Sequence, residues 1–124
     1  MRKYSSTEIE LINIQVGCIL RLARLRKGLS QLELGHQIDS NPTLIGRIER
    51  AEGKTSWEKI YMLCKQLDVN LCDILKIKGV DSLLSIVEEA MRFEDKLTQD
   101  KTNFYNSLKR RIQDLFKLLS KEQK

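Results

Sequence analysis

The 124-residue chain contains one proline, one histidine, one tryptophan and only six glycines. Breakers are therefore scarce. Leu, Ile, Lys, Glu, Arg and Gln, which lose little rotamer freedom in a helix, dominate the rest, so the composition is that of an all-α protein. No apolar run approaches the ~20 residues a membrane span needs, and MRKYSSTEIE at the start has no hydrophobic signal core, so a cytoplasmic protein without membrane contact is expected. Cys18, Cys64 and Cys72 form no CxxC pair and have only His36 to join them, which leaves no metal site with zinc spacing. Each lies among apolar residues and is expected to be a buried, reduced thiol. There is no Ser/His/Asp or Cys/His set and no Gly-rich phosphate loop, so neither catalytic residues nor a cofactor are expected, and His36 reads as an ordinary exposed histidine.

What the chain does carry is a modest positive charge, +5 with a pI near 9.2. Residues 1–79 hold 13 Lys/Arg against 9 Asp/Glu, whereas 80–124 hold 9 against 8. The excess lies in the N-terminal part and favours a polyanionic partner without requiring one. The length allows one core of ordinary domain size with an appendage.

After an N-terminal arm, residues 1–12, apolar residues at Ile14, Cys18, Leu22 and Leu25 follow helical spacing up to Arg26, and Lys27-Gly28 is a helix stop. Ser30 and Glu33 form an S-x-x-E capping box for a second short helix with Leu34 and Ile38 on its inner face. Asp39-Ser40 is a turn. Asn41 is an N-cap and Pro42 sits at the first position of a third helix reaching Arg50, where Leu44, Ile45 and Ile48 face inward and Thr43, Gly46, Arg47 and Arg50 face elsewhere. Ser56 opens a fourth helix and Asn70 caps a fifth of one turn. Trp57, Tyr61 and Met62 read as packing residues. Gly79 marks a boundary before a helical extension, residues 80–124.

Two short helices joined by a tight turn and flanked by others describe a helix-turn-helix, whose second helix enters the major groove of DNA. RLRKGLSQLELGHQID (24–39), LIGRIER (44–50) and CKQLDVNLCDIL (64–75) resemble the Cro/C1-type (XRE) regulators, over roughly Ile14 to Leu75. That resemblance implies a five-helix phage-repressor-like DNA-binding domain over 13–78. It implies that Arg47, Thr43, Gln31 and Pro42 read bases, with Arg47 able to grip a guanine bidentately. Arg24, Asn41, Arg50, Lys54 and Thr55 would meet phosphates, and Arg24 would also form an internal ion pair with Glu49. The chain departs from the family in having Asp39 and Ser40 at the turn, Ala51 where a Gly ends the recognition helix, and Gly46 within it. Arg21, Arg24, Arg26 and Lys27 read either as a solvated helix face or, beside the capping box, as neighbours of DNA.

Leu108, Ile112, Leu115 and Leu119 make a near-heptad seam. It is read as a dimerisation segment, with packing onto the chain's own core, or a helical hairpin that then dimerises, as alternatives. Whether one helix or two spans the extension is open. The expectation is a homodimeric transcriptional repressor bound to an inverted repeat in double-stranded DNA. The rival readings are an antitoxin or a protein-interaction module with a protein partner on the C-terminal helices.

Overall fold

The computed structural model describes residues 5–53 and 55–122. They form seven helices and no strand: α1 (Ser6–Arg26), α2 (Gln31–Gln37), α3 (Pro42–Glu49), α4 (Trp57–Leu67), α5 (Leu71–Ile74), α6 (Val80–Phe93) and α7 (Gln99–Glu122). The local signals that start and stop them are visible. Ser30 accepts from Glu33 N while Glu33 accepts from Ser30 N, and the ring of Pro42 follows the cap Asn41. The Ser30 backbone and hydroxyl hold the Glu33 carboxyl below its usual range, so this cap is complete above the ordinary Glu pKa and is lost as pH falls through the lowered value. Asp68 ends α4 in the left-handed conformation. No described helix is long and apolar enough to cross a membrane.

Helix α1 is the axis of the fold, and it is apolar on opposite sides. Val16 and Leu20 pack with Leu34 and Ile38 of the α2 region, Ile45 and Ile48 of α3, Leu63 and Leu67 of α4, and Ile74 of α5. Leu11, Ile14, Cys18 and Leu22 pack instead with Leu83, Val87 and Ala90 of α6 and with Tyr105, Ile112, Leu115 and Leu119 of α7. A helix with apolar stripes on two opposite sides must be covered on both, and here α6 and α7 cover the side that α2–α5 leave open. Burial holds the Cys18 thiol as a neutral hydrophobe, its pKa pushed up to about 12.

Several expectations change. The arm is not separate: residues 6–12 are the first turns of α1, with Thr7 and Leu11 buried, and Ser5 and Thr7 donate to Glu122 at the far end of α7. Residues 1–4 lie outside the described residues. The extension is two helices with a break at Glu94–Thr98. Its seam is spent inside the chain: Ile112, Leu115 and Leu119 are buried against α1 and α6, and Leu108 packs beside them, so these side chains are not a free face for a second copy. The near-heptad period is satisfied by intramolecular packing because α1 presents a matching apolar side. Cys72 is exposed while Cys18 and Cys64 are buried. Trp57, 71 % exposed, and Tyr61 and Met62 also stand on the surface rather than in the core, because α4 turns Ile60, Leu63, Cys64 and Leu67 inward and these three away.

Two contacts settle how α1 meets the other helices. Gln15, 1 % exposed, donates from Nε2 to Ile74 O and Lys76 O at 2.8 and 2.7 Å, and its Oε1 accepts from Lys78 N at 2.9 Å. One side chain thus satisfies the backbone of the α5–α6 link. At Gly17 a Cβ would lie 2.6 Å from Ile48 O and 2.8 Å from Glu49 O, so the end of α3 rests on bare α1 backbone. Backbone carbonyls cannot swing aside as a side-chain end can. Gly17→Ala is therefore expected to destabilise the protein by about 1–3 kcal/mol through overpacking. Thermal unfolding followed by circular dichroism should show a lowered Tm, and an unchanged Tm would show that this approach has room to spare.

Candidate nucleic-acid interface

The turn between α2 and α3 is closed by backbone bonds, Asp39 N to His36 O at 3.2 Å and Ser40 N to Gly35 O at 2.7 Å. Asp39 adopts φ 57°, the left-handed conformation that a short polar side chain tolerates better than most. Gly35 permits the approach of the two helices, since a Cβ there would come within 2.9 Å of Asn41 C. Asn41 Oδ1 then accepts from Leu44 N at 2.9 Å. With Ile45 and Ile48 anchored in the core, Asn41, Thr43 and Arg47 face solvent and Pro42 is half-buried. A helix held by one face and bare on the other is the form that a groove-reading element requires.

Behind α3 lies a buried polar cluster. Arg24 Nε and Nη2 donate to Glu49 Oε2 and Oε1 at 2.6 and 3.0 Å, and Arg24 Nη1 donates to Leu29 O at 2.8 Å. Burial alone would lower the Arg24 pKa, but the hydrogen bonds and charge of Glu49 outweigh it and the pKa rises. Each guanidinium nitrogen thus has a partner inside the protein and Arg24 is only 7 % exposed, which corrects its assignment to a phosphate. Arg21, also expected either in solvent or near DNA, is 8 % exposed, with Nε 3.3 Å from Glu49 Oε1. Gln31 donates from Nε2 to the same Oε1 at 3.1 Å, so its side chain is half-buried and held inward rather than presented to a base. Two arginines and an amide converge on one carboxylate at the last residue of α3.

The exposed rim is different in character. Arg50 pairs with Glu52 at 2.8 Å, Lys27 with Asp68 at 2.7 Å, and Arg26 with Glu89. Exposed pairs of this kind are screened by solvent and contribute little to stability. Among the described residues Arg47 has no ion-pair partner within bonding distance. Thr55 is exposed, and Lys54 lies outside the described residues. Arg47, Thr55 and Trp57 line one apolar-walled groove of about 490 Å³ with Val16, Ile60 and Leu75.

Sequence reasoning passed over Gln15, Arg21 as an interior group, and the reach of Glu49 beyond Arg24. The only signal for Arg21 was its place at i−3 from Arg24 on a helix that is otherwise apolar there. Removing the Glu49 charge takes away the one carboxylate that directly pairs with both buried guanidinium groups. Glu49→Gln should therefore cost about 3–5 kcal/mol. Urea unfolding would read this as a large drop in midpoint, and a wild-type midpoint would show that solvent reaches these arginines.

No curated protein and no solved structure matches the chain. The helix-turn-helix family model does match it over residues 20–74, from the middle of α1 to the end of α5. With α2, the turn and α3 in the order and geometry described above, residues 20–74 are similar to the helix-turn-helix family of the Cro/C1 type.

Proposed function

We propose that the chain is a sequence-specific transcriptional repressor that reads an inverted repeat in double-stranded DNA through α3. The observation that carries this is the outward row of Asn41, Thr43 and Arg47 on a helix whose other side is locked into the core. Arg47 is the base-reading residue, since it is exposed and its fork matches guanine O6 and N7. Thr43 and Pro42 lie on the same side and shape the contact. Asn41, Arg50, Lys54 and Thr55 meet the sugar-phosphate backbone.

A two-fold operator calls for two copies with recognition helices about one helical turn of DNA apart. With the α7 seam buried, the surface that suits this is the exposed apolar group of Trp57, Tyr61 and Leu75, in which Trp57 packs edge-on against Tyr61 and shares a groove wall with Leu75. It adjoins the groove that Arg47 lines, so a contact there keeps the two recognition helices close. Exposed aromatic clusters on small domains are commonly interaction surfaces.

Incubation of the protein with random duplexes should enrich a palindrome, and absence of any enriched sequence would overturn the reading. On that site Arg47→Ala should lose about 1–3 kcal/mol of discrimination at one base pair per half-site. Lys54→Ala should weaken all sequences alike and reduce the slope of log K against log salt by about one unit. For the assembly, light scattering should find a dimer that Trp57→Glu converts to a monomer with its helical content intact. A variant that remains dimeric would move the contact elsewhere.

A further inference from the structure

The polar cluster behind α3 does not end at Glu49. Arg21 Nη1 lies 3.4 Å from the Tyr105 hydroxyl on α7, and that hydroxyl donates to Glu94 Oε2 at 2.5 Å in the α6–α7 connection. The Arg21 guanidinium carbon sits 4.7 Å from the centroid of the Phe104 ring and 5.5 Å from that of Tyr105. Glu94 in turn meets Lys101 at 3.3 Å. Charge counting gives the reason for this arrangement. Arg21 and Arg24 are both buried and share one carboxylate, Glu49, so the helix-turn-helix part by itself holds one positive charge too many in its interior. Glu94, with a side chain 6 % exposed, supplies the missing negative charge from outside residues 20–74, and Tyr105 carries the connection.

A second contact reaches the same place. Ala51, two residues beyond α3, has φ 56°, a conformation costing about 1–2 kcal/mol for a residue with a Cβ. Its methyl group packs against the cluster built by α1, α6 and α7, and Arg50 and Ala51 share a cavity wall with Phe104 and Leu108. The C-terminal hairpin therefore reaches the end of α3 indirectly, through Arg21 to Glu49, and meets the residues just beyond it through the methyl group of Ala51.

We propose that Tyr105 and Glu94 are positioning residues for the recognition helix, acting through Arg21 and Glu49, so that the C-terminal hairpin is part of the DNA-reading apparatus. This rests on α3 being the element that reads DNA. Neither residue touches nucleic acid. Their effect is to hold the C-terminal turn of α3, where Arg50 N, Ala51 N and Glu52 N donate to Gly46 O, Ile48 O and Arg47 O. Arg47 projects from this turn, so a loosened turn disperses its guanidinium over more than one base position.

The test uses the full chain with Tyr105→Phe, which keeps the ring and removes the bridging hydroxyl, and Glu94→Gln as the second variant. Ile112→Val is the control, a loss of apolar packing on the same helix with no polar contact. Amide hydrogen exchange at Arg50, Ala51 and Glu52 should accelerate about fivefold or more in both polar variants, relative to core amides of α1, and not in the control. Affinity for the selected palindrome should fall by a similar factor while affinity for a scrambled duplex stays unchanged. Exchange at those three amides that merely follows the control would overturn the proposal. Accelerated exchange in a protein that selects no DNA sequence would leave the positioning intact and remove the DNA-reading function instead.

Discussion

Glu49 puts a negative charge into the interior at the last residue of α3, and a charge there is tolerable only if it is surrounded by donors. Arg24 supplies a bidentate pair, Gln31 an amide, and Arg21 a second guanidinium. Those partners come from α1 and from the start of α2, so a single carboxylate fixes the two helices of the helix-turn-helix, α2 and α3, relative to α1. The bare backbone of α1 at Gly17, against which the carbonyls of Ile48 and Glu49 lie, serves the same end by sterics instead of charge. Together they leave α3 one way to sit.

The second constraint is the two-sidedness of α1. Its 21 residues pack α2–α5 on one side and α6–α7 on the other, which makes the C-terminal helices structural partners of the helix-turn-helix part instead of a detachable tail. The ties at the ends, Thr7 to Glu122 and Gln15 to the 74–78 link, hold that arrangement with hydrogen bonds whose partners are about 60 residues or more apart in sequence. Local propensity has no part in such contacts.

The features legible in the sequence were those decided within a few residues. Ser30 with Glu33, Asn41 with Pro42, Ser56 and Asn70 each satisfy N–H groups one turn away, so residue type and spacing suffice to place a helix start. The inward positions of Ile45 and Ile48, and hence the outward ones of Thr43 and Arg47, follow from a 3.6-residue period alone. The start of α1 was misjudged because Ser6–Ile12 mixes Glu8 and Glu10 with Ile9, and its helicity depends on packing against α7 at Leu11.

What the sequence by itself determined is the all-helical character, the capped helix starts and the helix-turn-helix with its exposed face, because each rests on interactions between near neighbours in the chain. What only the tertiary structure decided is the destination of groups whose chemistry allows two environments. Arg21 and Arg24 are long cations at home in water or against a carboxylate, and distant Glu49 drew them inside. Leu108, Ile112, Leu115 and Leu119 fit any apolar partner of matching period, and α1 with α6 supplied it before a second copy was needed. An apolar stripe and a charged side chain specify the kind of neighbour they require but not which part of the chain provides it, and that choice belongs to the three-dimensional packing.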